Sequence, residues 1–258
     1  AALGSFVGGI ISTLGLALLG PMVADFALSF GPSEQFALLV FGMSMVIGLM
    51  GKSLVRGLVA VCIGLSLAMV GMDPVSGTIR YAYGLNELVS GMDVVTISMG
   101  LFGLSEILVG MENLNITGKA TAVNSSKLKP EEVRPTVMAI IRGSFLGFFM
   151  GLIPGTSSAV PALISYSMEK NLSKHPEKFG QGVPEGVAGP ETANNSYVGG
   201  AMIPLFTLGI PCSPTIAILM GAFMMHGMTP GPTLFITNPD VIWGTIASMF
   251  VGNVILLI

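Results

Sequence analysis

Long stretches without a charged side chain are the feature that most restricts the fold of this chain. Ala1 to Ala24, Gly143 to Met168 and Thr192 to Pro239 contain no Lys, Arg, Asp or Glu. A helix of about 20 apolar residues is long enough to cross the hydrocarbon core of a bilayer. These stretches lack the strict alternation of barrel strands, and backbone groups in lipid must be paired internally. The sequence therefore predicts an all-α integral membrane protein.

The composition agrees with a surface that faces lipid. Hydrophobic residues make up 52% of the chain and charged residues 10%, whereas soluble domains carry about 25% charged residues. The formal net charge of −3 comes without a basic block, so nothing indicates a nucleic-acid partner. Cys62 and Cys212 lie in apolar runs, and we interpret both as small packing residues, with no disulfide or metal site expected.

Hydropathy divides the chain into a multi-span helical bundle. We place membrane spans at about residues 1–20, 34–51, 57–72, 94–110, 136–168, 192–228 and 240–258. Both ends of the chain stop inside apolar runs, and we interpret the chain as a fragment of a longer protein.

The charged loops predict how the spans are oriented, because Lys and Arg collect on the cytoplasmic side. Residues 52–56 and 119–134 are basic, whereas residues 73–93 carry three acids and a single Arg. Alternation across the spans places the loops 52–56 and 119–134 in the cytoplasm and the loop 73–93 outside. Another basic loop covers residues 170–178. If it is also cytoplasmic, residues 136–168 must enter the membrane and return to the same side.

The segment 136–168 is interrupted at Pro154 and Gly155, which break helices. Each arm then has roughly 14–18 residues, or about 21–27 Å, which is shorter than a hydrocarbon core of about 30 Å. We therefore predict a re-entrant helical hairpin whose tip, Gly155 to Ser158, lies deep in the membrane. Two short tilted spans are the alternative.

A second interruption falls in the span 192–228, where Pro204, Pro211 and Pro214 accompany Gly209. We predict a transmembrane helix broken near Gly209 to Pro214. Broken helices expose backbone N–H groups at a positive dipole end, which attracts anions. Paired interruptions of this kind indicate the substrate site of secondary transporters. The predicted substrate-binding residues at the two breaks are Gly155, Thr156, Ser157, Ser158, Ser213 and Thr215; helix capping without a substrate is the alternative for their hydroxyl groups.

Three polar residues precede the second break. Glu191, Asn194 and Asn195 are spaced three and four apart, so they share one face of a helix. We predict that Asn194 and Asn195 bind substrate and that Glu191 orients them or binds a coupling cation. Capping of the helix at the membrane interface is the alternative. Arg142 lies inside an apolar arm, and we expect it to extend to the interface.

The motifs around both breaks resemble a known family. "GLIPGTSSAVPALISYSMEKNLSKHPEKFGQGVPEGVAGPETANNS" and "IPLFTLGIPCSPTIAILMGAFMMHGMTPGP" are similar to the large membrane subunit of the tripartite tricarboxylate transporters. The resemblance implies a multi-pass permease of the bacterial inner membrane. It also implies a small membrane subunit and a periplasmic solute-binding protein as partners, and uptake of an organic carboxylate driven by a sodium or proton gradient.

The family's large subunit has two related halves, and the resemblance places this chain in the second. Residues 1–110 are then transmembrane helices that include scaffold spans, residues 111–135 a polar cytoplasmic loop and residues 136–258 the second-half transport unit. No enzymatic activity and no bound cofactor are expected. An intramembrane enzyme using Ser157 or Cys212 as nucleophile would lack a base aimed at either residue. A channel or a non-transporting scaffold subunit is the remaining alternative.

Overall fold

A computed structural model describes most of the chain. The described residues are 1–29, 31, 33–34, 36–37, 40–41, 44, 54–73, 77–93, 96–97, 99–112, 130–154 and 156–257. The helices are α1 (Ala2–Leu28), α2 (Leu54–Ala68), α3 (Ser105–Glu112), α4 (Pro130–Gly151), α5 (Ala159–Leu172), α6 (Glu185–Leu208), α7 (Pro214–Met225), α8 (Leu234–Thr237) and α9 (Pro239–Ile255).

Short irregular elements connect these helices. Strands β1 (Gly71–Met72) and β2 (Ile79–Arg80) form an antiparallel pair. A π-helical segment, Met99–Leu104, precedes α3, and 3₁₀ turns occur at Asn86–Leu88 and Pro176–Lys178. The described part of the chain is thus almost entirely helical wherever it is regular, which confirms the predicted all-α class.

Two described helices are long and apolar enough to cross a membrane. They are α1, with 27 residues, and α4, with 22 residues. Shorter apolar helices cover Val55–Ala68, Thr215–Met225 and Pro239–Ile255. Most of the predicted span 34–51 and most of the predicted loop 111–135 lie outside the described residues.

Helix α6 lies at the centre of the bundle, with α1, α4 and α5 packed against it. Small residues make this possible, because backbones in a membrane bundle approach closely where side chains are small. Gly143 and Gly147 of α4 lie directly against the α6 backbone, where a Cβ would come under 3.0 Å from carbonyl oxygens. In the same way, Gly4 of α1 lies against the carbonyl oxygen of Ala188 and Gly8 against that of Thr192 on α6.

The contacts also give the directions of the helices. Gly143 lies against Gly189 and Gly151 lies against Gly200, so α4 and α6 run parallel. Gly8 lies against Thr192 and Gly199 lies against Ser12, so α1 runs parallel to them as well. Helices α1, α4 and α6 therefore all begin at the same end of the bundle.

Helix α5 runs in the opposite direction. Glu169, near its end, contacts Arg142 of α4 and lies beside Gly189 of α6. Thr156, just before its start, contacts Tyr197 at a level further along α6. Helices α4 and α5 thus form a helical hairpin that returns to the end at which it began.

The first arm of this hairpin is longer than the sequence predicted. Helix α4 begins at Pro130 and has 22 residues, or about 33 Å at the usual helical rise. The estimate of 14–18 residues was wrong because it discarded the charged start of the helix. Proline suits the first position of a helix, and Glu131 and Glu132 are favourable beside its positive end. Helix α6 likewise begins at Glu185, seven residues before the predicted span.

Candidate functional site

The tip of the hairpin is the first predicted site. Helix α4 ends at Gly151, and α5 begins after Ser158. Thr156 is only 2% exposed, and its Oγ1 lies 3.0 Å from the carbonyl oxygen of Met150 and 2.9 Å from that of Ile153. With its single proton, this hydroxyl can donate to one of these carbonyl groups at the end of α4 at a time. Gly155 lies outside the described residues.

The two serines of the tip are more accessible than Thr156. Ser157 is exposed and Ser158 is half-buried. Ser158 is the residue that precedes α5, and its side chain makes no capping hydrogen bond there. The positive end of α5 therefore lacks the side-chain cap that helix N-termini commonly have. The structure leaves both hydroxyl groups available to a ligand, and their predicted role in binding stays a prediction.

The second predicted site is the break between α6 and α7. Helix α6 ends at Leu208, and Gly209 adopts a left-handed conformation with φ 67°. Its amide returns to the carbonyl of Leu205, and the amide of Ile210 returns to that of Pro204. A side chain at Gly209 would also meet the carbonyl oxygen of Pro230 at 2.6 Å. The break predicted near Gly209 to Pro214 is confirmed.

Helix α7 begins at this break with its own cap. Ser213 precedes the helix, and its Oγ accepts a hydrogen bond from the Ile216 amide at 3.3 Å. This is the capping interaction that the sequence offered as the alternative to ligand binding. Thr215 is exposed in the first turn of α7. Binding of a ligand by Ser213 or Thr215 stays a prediction.

Tyr197 of α6 brings the two breaks together. Its hydroxyl lies 2.6 Å from the carbonyl oxygen of Thr156 and 3.2 Å from that of Cys212. The Oγ1 of Thr156 is 3.3 Å from the same hydroxyl. Thr156 stands two residues before Ser158, and Cys212 stands one residue before Ser213. The starts of α5 and α7 therefore lie near a single buried side chain.

Glu191, Asn194 and Asn195 lie on α6, before the level of the breaks. Asn195 Nδ2 donates to the Glu191 carbonyl oxygen at 3.0 Å, which confirms the helical spacing predicted for them. Ser5 Oγ of α1 donates to Glu191 Oε2 at 3.3 Å. Glu191 is exposed and both amides are half-buried. At 1.5 Å per residue, Glu191 lies about 9 Å and Asn194 about 4.5 Å from the level of Tyr197 along the helix.

These three residues are interior to α6, which begins at Glu185. They therefore do not cap its start. The structure pairs Glu191 with Asn195 and Ser5, whereas Thr156 and Cys212 are joined at Tyr197. The predicted residues thus form two groups at different levels along α6.

Arg142 of α4 forms an ion pair with Glu169 of α5. Its Nε donates to Glu169 Oε1 at 2.8 Å, and its Nη2 contacts Glu169 Oε2. Glu169 is 2% exposed, while the Arg142 side chain is 36% exposed. The hairpin brings a carboxylate from α5 to the guanidinium, and two-point pairs between Arg and a carboxylate are among the strong hydrogen-bonded interactions. Extension of Arg142 to the interface stays a prediction.

The comparisons with known proteins agree with these features. The profile of the Tripartite tricarboxylate transporter TctA family matches residues 1–258. The chain belongs to this family. An uncharacterized 52.8 kDa protein in the TAR-I ttuC' 3' region of Agrobacterium vitis is 44% identical over 260 residues, which is 100% of this chain and 52% of that protein. The chain therefore spans about half the length of this relative.

A second relative of this TctA-family chain is an uncharacterized protein in the TAR-II ttuC' 3' region of the same organism. It is 50% identical over 112 residues, covering 43% of the chain and 46% of that protein. No solved structure matches the chain. Membership of the family together with the long apolar helices makes this a membrane protein, of a family of tricarboxylate transporter subunits.

Sequence reasoning about this TctA-family chain missed Tyr197, which joins the two breaks, and Glu169, which pairs with Arg142. Tyr197 is the single Tyr in the charge-free stretch 192–239, and that isolation was the signal that could have found it. Glu169 is the acid that ends the charge-free stretch 143–168, opposite Arg142, which precedes it. Opposite charges at the two ends of an apolar hairpin sequence indicate an ion pair between its two arms.

Proposed function

We propose that the complete protein is the permease subunit of a tripartite carrier that takes up a small organic carboxylate, a tricarboxylate or a dicarboxylate. The observation that carries this proposal is the meeting of two helix breaks at Tyr197. Non-helical backbone at membrane depth is tolerated where it is buried in protein or lines a wet cavity. Two such segments side by side form a polar region inside an otherwise apolar bundle.

The chemistry of this region suits an anion. Helices α5 and α7 both begin there, and each helix start carries a partial positive charge and N–H donors. Ser157, Ser158 and Thr215 add accessible or half-accessible hydroxyl groups beside these starts. A carboxylate is an acceptor of several hydrogen bonds, so backbone amides and hydroxyls from two helix starts match its needs.

A coupling ion and partner proteins belong to the same proposal. Uptake would be driven by sodium or protons, with Glu191 as the candidate residue for a coupling cation because its exposed carboxylate accepts a hydrogen bond from Ser5. A small membrane subunit and a periplasmic solute-binding protein would complete the system. The location would be the inner membrane of a bacterium, crossed several times by the chain.

Transport of labelled carboxylates tests this function directly. Cells that express the complete system are given radiolabelled tricarboxylates and dicarboxylates, with and without a sodium gradient. We expect saturable accumulation of at least one of them against its gradient. Saturable uptake that persists without sodium and collapses with the proton gradient would assign the coupling ion as H⁺. A channel or scaffold subunit would instead show no ion-coupled accumulation.

Residues of the proposed site are tested by Asn194→Ala, Asn195→Ala and Ser158→Ala in the full-length protein. Each variant removes one polar group near the breaks, and we expect uptake to fall about tenfold or more with expression unchanged. The matched control is Ser248→Ala, which removes an exposed hydroxyl on α9 that contacts its own helix. Transport equal to wild type in all three site variants would contradict the assignment.

The orientation of the hairpin gives a separate prediction. Lys174 is exposed in the loop after α5, and this loop lies at the end of the bundle where α4 begins. In a Cys62→Ala background, Lys174→Cys should react with a membrane-impermeant maleimide only from the cytoplasmic side. Glu87→Cys, in the loop 73–93, should react only from the periplasmic side and serves as the control. Labelling of position 174 from the periplasm alone would contradict the re-entrant hairpin.

A further inference from the structure

Packing of the ring does not explain why position 197 carries a hydroxyl group. The side chain is 2% exposed and belongs to the buried cluster that contains Leu16 and Phe148. A phenylalanine would fill the same space as the tyrosine ring. The hydroxyl, however, lies within hydrogen-bond distance of Thr156 O at 2.6 Å and of Cys212 O at 3.2 Å. A buried phenolic hydroxyl requires such partners, and the carbonyls require a donor.

The two carbonyl groups belong to different interrupted segments. Thr156 lies between α4 and α5, and Cys212 lies between α6 and α7. Carbonyls in such segments have no intrahelical donor of their own. A single side chain that reaches both segments therefore couples the positions of two helix starts.

The flanking contacts hold the surrounding helices but not the tip of the hairpin. Ser196 Oγ donates to the Ser144 carbonyl at 2.6 Å, and Gly151 packs directly on α6 near Gly200. These contacts fix α4 up to its last residue. Beyond it, Ser158 makes no side-chain cap at the start of α5. Among the described residues of α6, Tyr197 is the one whose side chain forms a hydrogen bond with the tip of the hairpin.

The hydroxyl has one proton, so it donates to one of the two carbonyls at a time. Thr156 Oγ1 lies 3.3 Å from the phenolic oxygen and can donate to it in place of the Met150 or Ile153 carbonyl. The Tyr197 hydroxyl therefore keeps a hydrogen-bond partner whichever of the two carbonyls it donates to.

We propose that Tyr197 is a positioning residue that keeps the starts of α5 and α7 in register through its hydroxyl. The inference rests on the carboxylate site proposed above and names the side chain that shapes it. Among the described residues, the hydroxyl of Tyr197 contacts the carbonyls of Thr156 and Cys212 and the hydroxyl of Thr156, so it acts through the backbone that faces the ligand. The expected consequence is on substrate affinity rather than on the amount of folded protein.

The test is Tyr197→Phe in the full-length protein, which removes the hydroxyl and keeps the ring. We expect the KM for the transported carboxylate to rise about tenfold, with a smaller change in maximal rate, because a buried carbonyl loses its donor and the helix starts shift. The matched control is Tyr166→Phe. Tyr166 packs edge-on against Phe179 at the base of the hairpin, away from both breaks, and its variant should keep the wild-type KM.

A second readout does not depend on transport. Ser158→Cys is combined with Tyr197→Phe, and its rate of reaction with a thiol reagent is compared with that of Ser158→Cys alone. We expect faster labelling when the hydroxyl is absent, because the tip is then released from α6. Wild-type KM together with unchanged labelling in folded protein would overturn the proposal. If wild-type protein transports no carboxylate, the proposed function fails, and the labelling comparison still decides the role of Tyr197.

Discussion

Gly147→Ala is expected to prevent α4 from packing on α6. A Cβ at position 147 would lie under 3.0 Å from the carbonyl oxygen and the carbonyl carbon of Ala193. These are backbone atoms of the central helix, so no side chain can rotate away to make room. Overpacking of a well-packed interior costs about 1–3 kcal/mol and at times more. We expect the loss in free energy of unfolding to lie in the upper part of this range. We also expect much less monodisperse protein after extraction in detergent.

The control for this substitution is Gly252→Ala on α9. A Cβ at position 252 would have nothing within 4 Å. Alanine is a better helix former than glycine by about 1 kcal/mol, so this variant should be at least as stable as wild type. Equal stability of the two alanine variants in a thermal denaturation assay would show that close contact at position 147 is not needed for the fold.

Features that depend on local sequence were predictable. The break at Gly209 was expected because glycine tolerates the left-handed conformation that ends α6, and Pro211 and Pro214 prevent continuation. The interruption at Pro154 was expected for the same reason. Each of these signals acts within a few residues, so the folded environment does not need to be known.

Helix starts were less predictable from hydropathy. Helices α4 and α6 begin with charged residues, namely Glu131, Glu132 and Glu185. A search for apolar runs excludes such residues, although carboxylates are favourable at a helix start. As a consequence, capping of a helix start was an alternative for Glu191, whereas Glu191 lies six residues after the first residue of α6.

Contacts across long separations could not be predicted from residue type alone. Arg142 and Glu169 are 27 positions apart, and Tyr197 and Thr156 are 41 apart. Each pair meets only because α5 returns along α4 and both pack on α6. The hairpin was predicted, but which residues face one another across it depends on the rotation of each helix about its axis.

The Arg142–Glu169 pair leads to the second large effect. Arg142→Leu removes the cation and leaves the Glu169 carboxylate, 2% exposed, without a partner. Breaking a buried ion pair by removing one member costs about 3–5 kcal/mol. Because Arg142 is 36% exposed, solvent screening weakens the pair, and we expect a loss of about 3 kcal/mol, at the lower end of that range. A denaturant titration of the purified full-length protein, followed by circular dichroism, measures this loss.

The double variant Arg142→Leu/Glu169→Leu separates the cost of the unpaired carboxylate from the value of the pair. An ion pair replaced by apolar residues of similar size is often neutral in stability, so the double variant should recover most of the loss. Arg134→Leu, at an exposed position in the first turns of the same helix, controls for the removal of an arginine and should change stability little. If the single and double variants unfold at the same denaturant concentration, the carboxylate does not depend on Arg142. In that case the loss would come from the packing of the arginine stem on α4, and the two arms of the hairpin would be held together by their apolar contacts with α6.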